Sequence, residues 1–275
     1  MLNKVEEEVG VQTNLITVVN QKGGVGKTTT VLNLATCLAA TGKKVLIIDL
    51  DSQGNASTGL GVLPEDRKLS SYDLIITEEK LSNVLKETKV PNLFIVPANS
   101  DLASVDMDLG NTEQKALRLR RCLIKGLSET REFDYVFMDC PPALNLLTVN
   151  SLVTAKMVII PLQTEFFALE GLSQLMVTIK EIRNSFNKKL KILGVLLTMF
   201  DKRNNLSIQI EEDVRSTLSD LVFNTMIPRN VKLSEAPSYS LPGVIYDRKC
   251  LGSIAYQKLA AEFLKRERNT LSSTG

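Results

Sequence analysis

Residues 20–30, "NQKGGVGKTTT", hold the residue types that bind phosphate. The pattern G-x-x-x-x-G-K-[ST] ends well, at Gly26-Lys27-Thr28. It begins badly, because Gln21 stands where the first glycine belongs and Lys22 follows directly. Gly23, Gly24 and Gly26 allow backbone N–H groups to turn inward around phosphates. A helix starting at such a loop adds positive potential at its N-terminus. Within this loop, which includes Val25 and Thr29, Lys27 is expected to contact β- and γ-phosphates, and Thr28 to bind Mg²⁺ through its hydroxyl. One lysine suffices for that task, so Lys22 needs another role.

Three acids end apolar runs. Asp139 closes "YVFMD", as an aspartate that holds Mg²⁺ does in P-loop proteins. Asp49 and Asp51 close "VLIID" and the residues after it. A single acid at a strand end also serves as a turn or helix-cap residue. Three of them beside one phosphate loop favour handling of metal and water.

Other chemistries are excluded. Histidine is absent, which removes histidine bases and histidine-ligated zinc. Cys37, Cys122, Cys140 and Cys250 form no C-x-x-C pair, so they read as reduced, mostly buried thiols. No apolar run approaches the roughly 18 residues of a membrane span. The first residues, "MLNKVEEEVGVQTN", are polar and acidic, unlike a secretory signal, and a cytoplasmic location is expected.

The elements that must position these residues are legible as alternating apolar runs. "LITVVN" (15–20) reads as a strand leading into the glycine loop, and "VLNLATCLAATG" (31–42) as the helix after it, stopped by Gly42. Further strands are expected at 44–51, 93–98, 134–139, 157–162, 191–200 and 222–228. Helices are expected at 112–128, with Ala116, Leu119, Leu123 and Leu127 on one face, and at 168–186, with Leu172, Leu175, Ile179, Ile182 and Phe186 together. An amphipathic helix near 252–266 closes the chain. Continuous Val/Ile/Leu strands between helices mean a mostly parallel sheet covered on both faces, a single doubly wound α/β domain of the P-loop type. In such sheets ligands bind at the carboxyl ends of strands, where the glycine loop and the acids stand.

Charge is uneven. Residues 1–185 carry 19 Lys/Arg against 22 Asp/Glu, whereas residues 186–275 carry 14 against 9. The C-terminal third is therefore net basic, either as a face for a polyanion or as scattered solvated lysines.

"KGGVGKTTT", "VLIIDLDSQGNAS", "DYVFMDCPPALNLLT", "LTMFDKRNNLS" and "IPRNVKLSEAPSYS" together resemble the ParA/Soj chromosome- and plasmid-partitioning ATPases. The resemblance runs from about Leu15 to Leu264, with the stretches in family order. The deviant Walker A form K-G-G-x-G-K-[ST] marks the wider class that includes MinD and the nitrogenase iron protein. One departure is Ser52, where the family usually has proline.

The resemblance implies a Mg²⁺-dependent ATPase occupying residues 14–267, and the residues themselves read as disordered at 1–13 and 268–275. It implies a homodimer closing on two ATP molecules, with Lys22 reaching the phosphates of the partner's ATP. Asp51 matches the position that activates the hydrolytic water, and Asp49 supports the metal shell. Pro228 and Asn230 lie at the adenine. Arg203 and Lys232 match positions used for non-specific DNA, and Lys202, Arg229, Arg248 and Lys249 extend that patch. About 14 residues precede the first strand, too few for a helix-turn-helix domain, so operator binding is not expected. A ParB/Spo0J-type partner would stimulate hydrolysis and release the dimer from DNA, giving a cytoplasmic, nucleoid-associated protein that needs no membrane.

Three other readings are separable. A MinD-like membrane ATPase needs a basic amphipathic C-terminal anchor. Here Ala255, Leu259 and Phe263 share one side, which suits packing on the sheet. An iron–sulfur ATPase needs two cysteines per subunit at the dimer axis, and Cys140 has no clear partner. A metabolic amide ligase would need a substrate-pocket motif, which is missing.

Overall fold

Successive residues of the first strand feed two different cores. Leu15 and Val19 join one buried cluster, Ile16 and Val18 the other. The second strand repeats this, with Leu46 and Ile48 on one side and Val45 and Ile47 on the other. Side chains alternate across a strand, so a sheet apolar at every position must be covered twice.

The computed structural model describes residues 13–110, 114–130 and 133–272. Its strands are β1 (Asn14–Val18), β2 (Val45–Asp49), β3 (Lys86–Glu87), β4 (Leu93–Val96), β5 (Tyr135–Asp139), β6 (Met157–Gln163) and β7 (Lys191–Thr198). They form one sheet in the order β3-β4-β2-β5-β1-β6-β7. All pairings are parallel except β3 with β4, a short antiparallel edge that the apolar pattern does not announce. The helices Lys27–Ala40 and Leu251–Ser272 pack on one face through Leu34, Leu38, Leu259 and Phe263. Helices Arg118–Glu129, Leu146–Thr154, Ala168–Ser185 and Asn205–Leu218 cover the other through Leu123, Leu152, Leu175 and Val214. Each such fully buried side chain contributes about 1.5–3 kcal/mol.

The register carries the functional consequence. Val18 of β1 and Asp49 of β2 both pair with Asp139 of β5. The glycine loop and the strand-end acids therefore emerge at one edge of the sheet.

Several elements depart from the sequence expectation. Residues 222–228 do not form a strand; isolated bridges, Val195 to Val222 and Phe200 to Pro228, and the Phe223 and Ile227 amides donating to the Val195 and Leu197 carbonyls tie them to β7 and the residues just after it. Glu262 explains this, because its carboxylate accepts the backbone N–H groups of Asn224 and Thr225, both at 2.8 Å. Those groups are thereby pulled toward the closing helix. Phe186 caps its helix instead of extending the apolar face and is 50% exposed. Helices Leu146–Thr154 and Asn205–Leu218 are not announced by the apolar pattern.

The last helix continues to Ser272, beyond the expected end near 266, so the expected tail from 268 begins as helix. No glycine or proline interrupts it there, and Glu267 is buried, accepting from the Tyr135 hydroxyl at 2.8 Å and from Asn14 at 2.5 Å. The expectations for residues 1–12 and 273–275 lie outside the described residues. Among the described residues no helix is long and apolar enough to cross a membrane.

Candidate nucleotide and metal site

The loop after β1 is shaped by two glycines in the left-handed region, Gly24 at φ 76° and Gly26 at φ 87°. Gly26 is the residue before the helix Lys27–Ala40, so the first turn of that helix faces the loop. β7 supports it from beside, where the Thr198 hydroxyl donates to the Val25 carbonyl at 2.9 Å.

A cavity of about 400 Å³ opens at this edge. Gly23, Gly24, Gly26, Lys27, Thr28 and Thr29 supply one wall, and Asp51 stands on another. Lys27 is buried, and its ammonium donates to the Lys22 carbonyl at 2.9 Å. Burial pulls this ammonium below the usual lysine range, while the carboxylates of Asp139 and Asp51 oppose the fall. A cation so placed exchanges one carbonyl for phosphate oxygens without further desolvation.

Lys22 is arranged differently. It does not line this cavity but a second one of about 220 Å³, with Asn20, Gln21, Gln163 and Phe167. Its ammonium forms an ion pair with Glu165, and its side chain is half exposed. Phe166 and Phe167 lie next along the chain, exposed and packed edge to face at 5.1 Å.

The three acids are not equivalent. Both carboxylate oxygens of Asp139 are fully buried, and among the described residues neither has a well-formed hydrogen bond, although the Thr28 hydroxyl lies within reach. Burial, then the charge of Asp49, pushes its carboxyl well above the usual range, against the pull of Thr28 and Lys27. An orphaned buried carboxylate is costly unless something cationic meets it. With the Thr28 hydroxyl nearby, this is a hard oxygen donor set that fits Mg²⁺. Asp49 is committed elsewhere. Its carboxylate accepts from the Ser57 amide at 2.9 Å, the Ser57 hydroxyl at 2.7 Å and the Asp51 amide at 3.2 Å. Burial still raises it to about 6. It therefore braces the turn that carries Asp51. The Asp51 carboxylate accepts the Gln53 amide at 3.0 Å, with no other hydrogen bond among the described residues, and lines the cavity.

The apolar end of the cavity is lined by Leu32, Met199, Leu233, Pro237 and Leu241. Pro228 and Asn230 are not among its lining residues, but Pro228 bridges Phe200, the neighbour of Met199. Asn230 has a buried side-chain oxygen without a hydrogen-bond partner among the described residues. Asn33, which the motifs do not mark as functional, lines the cavity and accepts from the Val244 amide at 2.9 Å, tying the first helix to the opposite wall. The signal that could find it is an asparagine within an otherwise apolar helical run.

Arg203 and Lys232 sit apart from the cavity. Arg203 is 84% exposed and pairs bidentately with Asp201, at 3.0 and 2.9 Å. Lys232 pairs with Glu235 at 2.9 Å and lies 5.7 Å from the ring centre of Tyr246. Cys140 is buried between the hydroxyls of Thr17 and Ser151, at 3.2 and 3.0 Å, and burial pushes its thiol up to about 11. That interior position does not offer it to a cluster shared across a dimer axis.

A family model described as an AAA domain matches residues 13–192. The chromosome partitioning protein ParA of Caulobacter vibrioides is 50% identical over 255 residues, covering 93% of this chain and 95% of that protein. The sporulation initiation inhibitor protein Soj of Bacillus subtilis is 46% identical, covering 90% and 97%. Among solved structures, a cobyrinic acid a,c-diamide synthase from Mycobacterium smegmatis with bound ADP and magnesium superposes at TM-score 0.81, with 35% identity over 93% of this chain and 96% of that one. The septum site-determining protein MinD of Pyrococcus horikoshii, complexed with Mg-ADP, superposes at 0.76 with 27% identity over 91% and 95%.

Proposed function

Because the chain belongs to the ParA/Soj family of partitioning ATPases, we propose that it is an ATP-driven DNA segregation switch. It binds and hydrolyses Mg-ATP as one ATPase unit spanning residues 14–267. It pairs with a second copy when ATP is bound, holds non-specific double-stranded DNA as the dimer, and lets go after hydrolysis. A ParB/Spo0J-type centromere-binding partner accelerates that last step. Nucleoid association follows from the DNA affinity, and no membrane is required.

The chain's own residues divide the work. The glycine loop wraps the phosphates, and Lys27 neutralises the β- and γ-oxygens. Thr28 and Asp139 would hold Mg²⁺, which supplies charge neutralisation at the phosphates, with Asp49 supporting from behind. Asp51 orients the attacking water, and Pro228 and Asn230 flank the adenine. Lys22 crosses to the partner's ATP, where a cation supplied in trans stabilises charge on the transferring phosphoryl group only in the dimer.

The observation that carries this reading is the division between the two loop lysines. Lys27 is buried in the cavity wall, while Lys22 is half exposed, paired with Glu165, and near the exposed Phe166–Phe167 pair. An exchangeable surface ion pair beside exposed aromatic area is what a nucleotide-dependent contact with a second copy requires. The closing helix supports DNA over lipid, since Ala255, Leu259 and Phe263 are buried against the sheet.

The test is sizing with ADP and with a slowly hydrolysed ATP analogue, with and without duplex DNA, for wild type and Lys22→Ala. The wild type should dimerise with the analogue only, and the variant should bind nucleotide yet remain monomeric. A variant that dimerises normally removes Lys22 from the interface. A wild type that ignores DNA but sediments with anionic liposomes replaces this reading with the MinD-like one.

A further inference from the structure

Behind the Asp51 wall lies a buried arginine. Arg67 follows the short turn Pro64–Asp66, and among the described residues no carboxylate forms an ion pair with it. A buried guanidinium must spend its five donors on other acceptors. Its Nε and Nη2 donate to the Val62 carbonyl at 3.1 and 2.7 Å, Nη2 donates to the Thr58 hydroxyl at 2.7 Å, and Nη1 reaches the Ala98 carbonyl at 3.5 Å. The planar fork thus joins the end of the Asn55–Gly59 helix, the loop after it and the segment that follows β4.

The connection continues to Asp51. The Thr58 hydroxyl donates to the Gly54 carbonyl at 3.0 Å, and the Gly54 amide donates to the Asp51 carbonyl at 2.8 Å. Gly54 has φ 61°, and a Cβ there would collide with Arg67 Nη1 and lie 3.2 Å from the Ala98 carbonyl. Guanidinium and turn are therefore packed as one unit, with Asp51, Gln53, Asn55 and Thr58 on its cavity side.

We propose that Arg67 is a positioning residue for ATP hydrolysis: its guanidinium fork clamps the turn from Asp51 to Thr58 and holds the Asp51 carboxylate at the cavity wall. Arg67 itself does not line the cavity, so it should act on the water-activating step and not on nucleotide affinity. Lysine cannot replace it, because a single ammonium does not reproduce a planar fork reaching three separated acceptors.

This inference rests on the ATPase reading. Its test compares wild type, Arg67→Lys, Thr58→Val and the double variant in Mg-ATP turnover at saturating ATP, with nucleotide affinity and thermal unfolding measured in parallel. Small misplacement of a catalytic group lowers kcat far more than binding, so Arg67→Lys should lose about tenfold or more in kcat with nearly unchanged nucleotide affinity. Thr58→Val should lose less in the same direction, and the double variant should be no slower than Arg67→Lys alone. Unchanged turnover, or affinity falling in step with kcat, overturns the proposal. If Arg67→Lys does not fold, Thr58→Val decides by the same split. A wild type without ATP turnover overturns the ATPase reading and this inference together. A wild type no faster than folded variants overturns this inference alone.

Discussion

The phosphate edge of the sheet and the basic C-terminal third carry charge under opposite conditions. At the phosphate edge Lys27, Asp49, Asp51 and Asp139 are all buried. In the basic third, Arg203 and Lys232 are exposed and already neutralised by Asp201 and Glu235. Burial makes a charge expensive unless its geometry is fixed, whereas exposed pairs are weak, screened and exchangeable. The first region is built for a single small ligand held closely. On the proposed reading the second meets a polyanion, whose phosphates would displace the internal carboxylates without requiring a register.

The largest effect that would break this contrast is expected at Lys27. Removing the buried ammonium takes away charge-assisted hydrogen bonds of about 1.5–3 kcal/mol each, so Lys27→Ala should weaken ATP binding by about a hundredfold or more. Titration with a fluorescent ATP analogue checks this. Wild-type affinity in the variant would mean that the cavity is not the phosphate site.

Asp51→Ala comes next. It should leave binding intact while turnover falls by about a hundredfold, the usual contribution of a positioned acid or base. The expected species is an ATP-bound dimer retained on DNA, seen by sizing and by DNA co-migration. Normal turnover would pass the role to another residue, with Asp49 the first candidate despite its bonds to Ser57.

The same contrast sets what the sequence makes legible. Apolar runs such as "VLIID" and "YVFMD" locate β2 and β5 almost to the residue, because strands buried on both faces admit little else. The glycine loop is equally plain, since its φ values demand glycine at positions 24 and 26. What stays hidden depends on groups distant in the chain. Glu262 takes the amides that would have made 222–228 a strand, from 38 and 37 residues away. Glu165 meets Lys22 across 143 residues. Ser57 claims Asp49 only because Gly54 turns the chain back. Arg67 reads as an ordinary surface residue until the fold places it under that turn. For Arg203 and Lys232 the residues alone show only charge, and their assignment comes through resemblance.

A smaller effect is expected from Arg203→Ala combined with Lys232→Ala. Dimerisation with ATP should persist, while DNA affinity falls and the salt dependence flattens by about 0.9 in log–log slope for each phosphate no longer neutralised. Duplexes of different sequence should behave alike, because binding through phosphates carries no sequence information. Unchanged affinity and slope in a salt titration would move the patch, with Arg248 and Lys249 next in line.

The smallest effect sharpens the comparison from the other side. If Asp201 competes with DNA phosphate for Arg203, then Asp201→Asn should strengthen DNA binding. The substitution keeps an oxygen to accept the Arg203 amide, now at 3.0 Å, so the turn survives while the negative charge goes. The arginine side chain is 84% exposed, so the gain is severalfold at most and shrinks as salt rises. It should vanish when Arg203→Ala is added, because no guanidinium remains to be released. The measurement is DNA affinity of wild type, Asp201→Asn, Arg203→Ala and the double variant, each with ATP at low and moderate salt. A gain that survives Arg203→Ala would be a general effect of net charge. No gain at low salt would show that Arg203 does not meet phosphate, and that the basic third carries only solvated charge at this position.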